Sequence, residues 1–272
     1  VEVGGYARKS VTVSILGGLV AFLYRRADKV VALMPKAADL ITKLGVPADR
    51  IVCIPNGVSP ELYQNANVEP PEHLMKVICD LKEAGKILVG YAGAHGIHDA
   101  IDTMVEAARV LQEKGADRVH MFVVGEGPEK KTICEKARGY GLENMTFHPY
   151  VSKNSLPTLL RAFDLAIMCR RNTALYRYGM SSLKLWDYMM CARPIVWAID
   201  AVNNPVAEAN CGLTVPPEDP DKLADAIVQM CNMSEEERRE IGLRGHEYVM
   251  RYHSTPVLAA RLLGVLQEVT NE

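Results

Sequence analysis

The residues best suited to chemistry lie in the stretch RYGMSSLKLWDYMMCARPIVW at 177–197. Its pattern predicts an extended loop, a helix that begins near Ser181 or Ser182, and a short strand led by the proline. Lys184 and Asp187 are three residues apart, so they lie near one another on the surface of such a helix. The helix start attracts phosphate, Lys184 adds a full charge, and Asp187 can accept hydrogen bonds from a sugar diol. The segment could therefore hold a nucleotide, although an amphipathic helix with a capping serine explains it equally well.

Length, charge and cysteine usage exclude several classes of function. A chain of 272 residues is long enough for one large or two modest domains. Its formal net charge of −2 gives no electrostatic argument for binding nucleic acid. The seven cysteines are scattered and form no C-x-x-C pair. This argues against a disulfide framework or a zinc site and favours a reducing, cytoplasmic compartment.

The most apolar part of the chain is VTVSILGGLVAFLY at 11–24, which basic residues flank on both sides. This run is too short to span a bilayer comfortably, and no cleavage site typical of a signal peptide follows it. We expect a buried or interfacial helix rather than a membrane anchor. The charged flanks leave a peripheral contact with the inner face of the membrane open. Because the chain begins with Val1, we expect a fragment or a processed product.

Short apolar strands alternate with amphipathic helices through most of the sequence. Strands are predicted at 29–34, 50–54, 87–91, 119–124, 145–148, 164–169 and 195–198, and the clearest helices at 35–44, 101–111, 155–163, 220–231, 234–252 and 256–269. Asp219 precedes a proline at a predicted helix start, and Ser234 and Glu237 have the spacing of a capping box. This alternation is typical of an α/β protein with a parallel sheet covered on both faces.

The predicted elements are distributed unevenly along the chain. Residues 72–252 hold enough strands and helices for one complete, Rossmann-like, doubly wound domain. Residues 1–58 contain too few for a domain and resemble the last third of one. Between them, residues 59–71 are rich in Pro, Asn and Glu, show no sustained period, and are predicted to form a linker. A C-terminal helix within 253–272 is expected to pack back on the N-terminal part.

The loops that follow the strands are the expected ligand sites, because open parallel sheets bind ligands beyond the carboxyl ends of their strands. In Gly93-Ala94-His95-Gly96, two glycines three residues apart let the backbone approach a phosphate or make a tight turn. His95 and His98 are candidate hydrogen-bond donors to a diphosphate.

Two further loops carry weaker signals. The GEGP stretch at 125–128 begins like a dinucleotide fingerprint but has Lys130 where the third glycine belongs, which argues against nicotinamide binding. The extended loop at 147–152 carries Tyr150, which could lie along a flat base. The sequence contains no motif for a metal site, a catalytic nucleophile or a P-loop, so no metal and no cofactor are expected.

Six segments, in their order, resemble the nucleotide-sugar half of GT-B glycosyltransferases, and specifically retaining family 4, or group 1. They lie at 27–58, 91–108, 123–131, 147–167, 181–196 and 211–227. The resemblance implies a GT-B type fold, with the active site in the cleft between two Rossmann-like domains. In that comparison residues 1–58 are the remnant of the acceptor-binding domain and residues 72–252 are the donor-binding domain. The IPNGV stretch at 54–58 lies at their junction.

The resemblance also implies roles for individual residues. The implied diphosphate site is Gly93, Ala94, His95, Gly96, Lys184 and Arg177, the ribose site is Asp187, the donor-sugar site is Gly179, Met180, Ser181, Ser182 and Leu183, and the base site is Pro149, Tyr150 and Val151. The family carries two glutamates eight positions apart. The second corresponds to Asp187, and the first to Gly179, which has no side chain to offer the sugar. The pattern RYG…S…K…DYM is similar to a subgroup that builds bacterial surface polysaccharides from UDP-linked sugars.

A retaining glycosyltransferase is the function that this resemblance implies. It would transfer a sugar from a nucleotide donor, expected to be a UDP-sugar, to a glycan or lipid-linked acceptor. The main contribution of the protein would be electrostatic stabilisation of the leaving diphosphate. The acceptor site and any catalytic acid or base would lie mostly in an N-terminal domain outside this chain. We therefore predict nucleotide binding with little or no transferase activity for the 272 residues by themselves.

Three other functions stay open at this point. A sugar-nucleotide epimerase would need acid–base groups around the sugar, which the sequence does not identify. A non-catalytic nucleotide-binding or partner subunit is compatible with Gly179 in place of a glutamate. A nicotinamide enzyme is disfavoured by the interrupted glycine fingerprint.

Overall fold

The structure, a computed structural model, describes residues 11–64 and 68–270. Its strands are β1 (Val30–Ala32), β2 (Ile51–Cys53), β3 (Ile87–Ala92), β4 (Val119–Val124), β5 (Met145–His148), β6 (Leu165–Cys169), β7 (Ile195–Ala198) and β8 (Gly212–Val215). Its α-helices are α1 (Val11–Arg26), α2 (Ala38–Ile41), α3 (Pro60–Gln64), α4 (Glu72–Glu83), α5 (Ile101–Glu113), α6 (Lys130–Gly139), α7 (Leu156–Ala162), α8 (Leu183–Met190), α9 (Pro205–Glu208), α10 (Pro220–Cys231), α11 (Glu235–Tyr252) and α12 (Thr255–Thr270). Short 3-10 helices cover Thr42–Leu44, Ala48–Arg50, Ile97–Asp99 and Ala174–Tyr178.

The strands form two parallel sheets. β1 pairs with β2, and the other six strands form one sheet in the order β5-β4-β3-β6-β7-β8. The chain runs outward from β3 to β5 and then returns to β6 on the other side of β3, so the strand order reverses between β3 and β6. The loops after these two strands therefore face each other across a crevice, which is where sheets of this type bind ligands.

Both faces of the large sheet are buried, as the alternation of elements predicted. Along β3, Val89 and Tyr91 pack on the side of α5 and α10, whereas Leu88 and Ala92 pack on the side of α7 and α8. Every residue of β3, β4, β6 and β7 is buried. Strands in this position must be apolar on both sides, which is why their sequences are continuous apolar runs.

Most predicted elements are confirmed. The strands with the predicted bounds are 119–124, 145–148 and 195–198, and the helix with the predicted bounds is 220–231. Two helix starts also agree with the prediction. The Asp219 side chain accepts a hydrogen bond from the N–H of Lys222, and Ser234 and Glu237 form a capping box.

Several predictions about short elements are wrong. The helix expected at 35–44 is reduced to α2 and one 3-10 turn, which Gly45 ends in a left-handed conformation with φ of 86°. The linker expected at 59–71 contains helix α3, whose Tyr63 is buried. The sequence pattern does not reveal β8, which is a partly exposed strand at the edge of the sheet, or α9, which is a helix of about one turn.

Helix α1 is not buried, which overturns the buried alternative for the run at 11–24. Its one buried residue is Ala21, while Val11, Ile15 and Phe22 are 74%, 66% and 52% exposed. The described elements around this helix leave most of its apolar side chains uncovered. Within the described residues, no helix combines the length and the apolar character needed to cross a membrane.

Residues 54–58 connect the small sheet with the large one, and the C-terminal part of the chain holds them. The N–H of Val58 donates to the carbonyl of His253 at 2.9 Å, and the N–H of Thr255 donates to the carbonyl of Val58 at 2.9 Å. Ile54 packs against α12. The C-terminal part of the chain therefore fixes the segment that leads from the small sheet towards α3 and α4.

Gly90, in the middle of β3, packs closely against the ring of Phe163. A Cβ on Gly90 would lie 1.9 Å from Cδ2 of Phe163, a fully buried ring. We expect Gly90→Ala to lower the free energy of unfolding by about 1–3 kcal/mol, because overpacking forces buried side chains to shift. Urea unfolding measures this loss. Gly139→Ala is the matched control, since nothing lies within 4 Å of the added methyl group. Equal stability of the two variants would contradict the close contact between Gly90 and the ring of Phe163.

Candidate functional site

Four polar side chains meet in the crevice between β3 and β6. Lys184, in the first turn of α8, donates from Nζ to Asp99 Oδ1 at 2.6 Å and to the Tyr91 hydroxyl at 2.5 Å. Arg170, the first residue after β6, donates from Nη1 to the same Asp99 oxygen at 2.7 Å. Two cations share one carboxylate, so the group carries a net positive charge. We call these four residues the ion cluster.

Burial and the contacts within the ion cluster shift the pKa values of its members. Burial lowers the pKa of Lys184 to about 8, although the nearby carboxylate of Asp99 opposes this shift. Burial by itself would raise the pKa of Asp99, but Lys184 and Arg170 together hold it below its usual range. Asp99 is therefore ionised at neutral pH, and Lys184 is mostly protonated while the pH stays below about 8.

Asp187, one turn further along α8, is held by a tyrosine. The Tyr63 hydroxyl donates to Asp187 Oδ1 at 2.5 Å. Burial raises the pKa of Asp187, and the hydrogen bond from Tyr63 partly offsets this rise. Among the described residues no donor reaches the other carboxylate oxygen, Oδ2. That oxygen can accept hydrogen bonds from a ligand.

The first cavity has a volume of about 380 Å³ and lies at the carboxyl ends of β3 and β4. Its lining consists of Ala92, Gly93, Ala94, Val124, Gly125, Glu126, Tyr150, Val151, Leu156, Lys184 and Asp187. The structure thus brings together residues that the sequence assigned to the diphosphate, the ribose and the base. Tyr150 is 71% exposed, which leaves its ring open to stacking.

Three of the four backbone N–H groups in the loop at 93–96 are already bonded within the protein. Only the N–H of Ala94 has no acceptor in the described part of the chain. The loop packs on the neighbouring loop at 125–128, where a Cβ on Gly125 would lie 1.8 Å from the carbonyl oxygen of Gly93. Because it has no side chain, Gly125 allows the two loops to pack closely. The backbone at 93–96 has one N–H group, that of Ala94, free to bind a phosphate.

His95 is not among the residues that line the first cavity. Its ring is fully buried, and neither ring nitrogen has a hydrogen-bond partner. Burial, together with the charge of Lys130, lowers the pKa of His95 to about 4, so the ring is neutral. Lys130 supports the loop at 125–128 instead of a ligand, because its Nζ donates to the carbonyls of Gly125 and His148 at 2.9 Å and 3.1 Å.

A second cavity, of about 340 Å³, has another member of the ion cluster in its wall. Its lining consists of Leu33, Met34, His98, Arg170, Thr173, Leu175, Tyr176, Gly179, Met180, Ser181 and Ser182. Arg170 belongs to this cavity and Lys184 to the first, and Asp99 joins them. Of the five residues expected at the donor sugar, four lie here. The fifth, Leu183, is 56% exposed and lines neither cavity.

Gly179 has a backbone conformation that leaves no room for a side chain. Its φ is +100°, and a Cβ there would lie 2.5 Å from Cδ of Pro35 and 2.9 Å from Oδ1 of Asn203. The side chain of Asn203 also holds the backbone of Met180 in place. Its Oδ1 accepts a hydrogen bond from the Met180 N–H at 2.7 Å, and its Nδ2 donates one to the Met180 carbonyl at 3.0 Å. A glutamate in this conformation would clash, so the side-chain contact that the resemblance implies at this position is lost.

Besides His95 and Leu183, three expected site residues line neither cavity, and these are Gly96, Arg177 and Pro149. Arg177 stacks on the ring of Tyr178 at 4.8 Å and lines a separate surface cavity beside Asp200. Pro149 is exposed next to Tyr150 but is not part of the lining.

Sequence reasoning missed Tyr63, Asp99 and Arg170. Charged residues in the loops after β3 and β6 are a signal that could have found the last two, because those loops face the ligand crevice. Tyr63 gave no such signal, since it lies in a segment predicted to be a linker. Within residues 11–64 and 68–270, no three His, Cys, Asp or Glu side chains are placed to hold a metal ion.

Another cavity, of about 400 Å³, lies at the opposite end of the large sheet. It borders the first residues of β3 and β4 and includes Lys114 and Asp225, which pair with each other at 2.7 Å. Sheets of this type bind their ligands at the carboxyl ends of the strands. The ion cluster also lies at that end, so we assign the candidate site there.

Comparison with known proteins assigns the chain to a family. A sequence model described as glycosyl transferases group 1 matches residues 86–233, which is more than half of the chain. The chain belongs to the group 1 glycosyltransferases. A second model, described as glycosyltransferase family 4, matches residues 6–62. The family resemblance drawn from the sequence motifs is confirmed.

Its relatives in this family are distant. The chain is 21% identical to the alpha-D-kanosaminyltransferase of Streptomyces kanamyceticus over 248 residues, which cover 90% of this chain and 61% of that protein. It is 26% identical over 147 residues to WcaI of Escherichia coli K12, provisionally named as a colanic acid biosynthesis glycosyl transferase, covering 54% of this chain and 35% of WcaI. The chain thus spans less than two thirds of the length of either relative.

Solved structures share the fold. HepE of Anabaena, crystallised with UDP, superposes with a TM-score of 0.74 and 18% identity, covering 96% of this chain and 69% of HepE. WaaG, a glycosyltransferase involved in lipopolysaccharide biosynthesis, gives a TM-score of 0.69 and 19% identity, covering 94% of this chain and 68% of WaaG. At such identities the likeness shows the fold alone, and it confirms the GT-B type architecture.

Asp99 is expected to maintain the positive charge of Lys184. Its carboxylate raises the pKa of Lys184 against the effects of burial and Arg170. We expect Asp99→Asn to lower this pKa by about one unit or more, as measured by NMR titration of the lysine side chain. Asp102→Asn is the control, because that carboxylate pairs with Arg171 outside the ion cluster. A Lys184 pKa that stays near 8 in Asp99→Asn would contradict the arrangement.

Proposed function

We propose that this chain is the donor-binding part of a retaining glycosyltransferase. The enzyme transfers a sugar from a UDP-sugar to a glycan or lipid-linked acceptor in the synthesis of a surface polysaccharide. The position of Lys184 and Asp187 carries this proposal. Both lie on α8 and line the same cavity, beside the point where the strand order of the sheet reverses. A cation and a carboxylate at this spacing suit the phosphate and the ribose of one nucleotide.

The first cavity offers a partner to each part of UDP. Lys184 and the free N–H of Ala94 lie where the diphosphate would bind. No side chain caps the start of α8, so its first N–H groups are also open to an anion. The unbonded oxygen of Asp187 can accept from the ribose hydroxyls, and the exposed ring of Tyr150 can stack on the uracil.

The donor sugar would extend from the diphosphate into the second cavity, because Asp99 joins Lys184 of the first cavity to Arg170 of the second. Ser181 and Ser182 form part of its wall. Asn56 fixes this wall, since its N–H donates to Ser181 Oγ at 2.8 Å and its side-chain amide donates to the Ser181 carbonyl at 3.1 Å. The segment at 54–58 therefore links the small sheet, on the acceptor side, to the sugar site.

The chemical contribution of this part of the enzyme is to stabilise negative charge. As the bond between the sugar and the diphosphate breaks, charge accumulates on the leaving diphosphate, while the acceptor hydroxyl attacks the same face of the sugar. Lys184 meets this charge with a buried ammonium group, where electrostatic attraction is stronger than in water. Asp99 and Tyr91 hold that ammonium group in place before the reaction starts.

The names of the relatives support the class of substrate. One relative is a kanosaminyltransferase, another is named for colanic acid biosynthesis, and the HepE structure contains UDP. A non-catalytic nucleotide-binding subunit is the second candidate function, because Gly179 leaves the sugar cavity without a carboxylate at that position. Turnover of a UDP-sugar by the complete protein would exclude the second candidate, and tight UDP binding without turnover would favour it.

Calorimetric titration with UDP tests the proposed nucleotide site. We expect Lys184→Ala and Asp187→Ala each to weaken UDP binding by about tenfold or more, because each removes a charged hydrogen-bonding group. Lys131→Ala and Asp80→Ala are the controls, since both side chains are exposed and lie on other helices. Circular dichroism checks that all four variants fold. Unchanged UDP affinity in a folded Lys184→Ala or Asp187→Ala variant would refute the assignment of that residue.

The affinity for UDP should also depend on pH through Lys184. Its pKa is lowered to about 8, so the ammonium form dominates below that pH and is lost above it. We expect the affinity to fall as the pH rises from about 7.5 to about 9.5, by up to about tenfold for each unit above the pKa. Lys184→Arg keeps its charge in this range and should lose the dependence. The same decline in both proteins would assign the titration to another group.

A further inference from the structure

Arg170 occupies a defined position in the wall of the second cavity. It follows β6 directly, and its backbone N–H donates to the carbonyl of Ala198 at 3.3 Å. Its guanidinium is anchored at one end, where Nη1 donates to Asp99. The side chain is 20% exposed, and Arg170 is among the residues that line the cavity. The group is therefore both fixed and accessible from the cavity.

Most of the hydrogen-bonding capacity of Arg170 is unused. A guanidinium has five N–H donors in a planar fork, and the described residues provide a side-chain acceptor at Nη1 alone. The carboxylate at that end is shared with Lys184, so Arg170 is only partly neutralised. A planar fork with free donors is suited to a bidentate pair with a carboxylate or a phosphate.

No acidic side chain of the second cavity competes for this fork. The lining contains His98 and several hydroxyl groups, but no Asp or Glu among the described residues. At Gly179 a carboxylate is also excluded by geometry, because Pro35 and Asn203 fill the space that its side chain would need. The cavity therefore presents a cation to its ligand without an opposing anion.

We propose that the second cavity accepts a sugar that carries an anionic group, and that Arg170 recognises this group. The inference rests on the proposed function, since it names the class of sugar bound next to the UDP site. The anion has two possible sources. It is a carboxylate on the donor sugar, as in a UDP-hexuronate, or a phosphate on the acceptor sugar.

Calorimetry with two probes distinguishes these sources. In the first arm the chain is titrated with UDP-glucose and with UDP-glucuronate, which differ at a single carbon of the sugar. In the second arm the UDP-saturated chain is titrated with glucose and with glucose 6-phosphate. We expect the anionic sugar to bind about tenfold more tightly than its neutral counterpart in one of the two arms.

The variant Arg170→Gln should remove this preference, which is measured as the ratio of the affinities for the anionic and the neutral sugar, so that a change in the affinity for UDP itself cancels. Arg171→Gln is the matched control. It removes the same charge one residue away, but Arg171 pairs with Asp102 and Glu218 and lines neither cavity. Arg170→Lys should keep part of the preference, because it keeps the charge and loses the fork.

Three results would overturn the inference. Equal affinity for the neutral and anionic sugars in both arms would show that the cavity does not select an anion. A preference that survives in Arg170→Gln would assign the selection to another group. An equal loss of affinity for UDP, UDP-glucose and UDP-glucuronate in that variant would place Arg170 at the diphosphate. Failure of the wild-type chain to bind UDP is a different outcome, because it refutes the proposed function on which the inference rests.

Discussion

The candidate site depends on one buried carboxylate. Asp99 is 5% exposed, and it accepts hydrogen bonds from Lys184 and Arg170 through one oxygen and from the N–H of Gly96 through the other. A buried charge is costly unless it is paired, and a buried lysine tends to lose its proton. Asp99 therefore needs the two cations to remain ionised, and Lys184 needs Asp99 to remain protonated. The result is a pair of cations held between two cavities.

The fold supplies the conditions that this cluster needs. Because the strand order reverses between β3 and β6, the loops that carry Asp99 and Arg170 face each other, and the first turn of α8 brings Lys184 between them. The close packing of the loops at 93–96 and 125–128 fixes the floor of the first cavity. Most backbone N–H groups of the loop at 93–96 are bonded within the protein, and Lys184 is the cation that lines this cavity.

The sequence predicted the parts of this arrangement that depend on local pattern. Buried parallel strands are continuous apolar runs, so the strand at 119–124 was found with its correct bounds. Helical spacing alone indicated that Lys184 and Asp187 share a surface. Both residues do line one cavity.

Features that depend on long-range packing could not be predicted in this way. The bond between Asp99 and Arg170 joins residues 71 positions apart, and no local period marks it. The buried ring of His95 and the displaced position of Arg177 likewise depend on how neighbouring loops pack. The exposure of α1 depends on how many elements are present to cover it, which its own apolar sequence does not reveal.

A crystal structure of the 272-residue chain with UDP tests the central claim most directly. We expect the diphosphate to lie within hydrogen-bond distance of Lys184 Nζ, the ribose hydroxyls to donate to Asp187, and the uracil to stack near Tyr150. UDP bound elsewhere, for example in the cavity beside Lys114, with Lys184 still bonded to Asp99 and Tyr91, would contradict it.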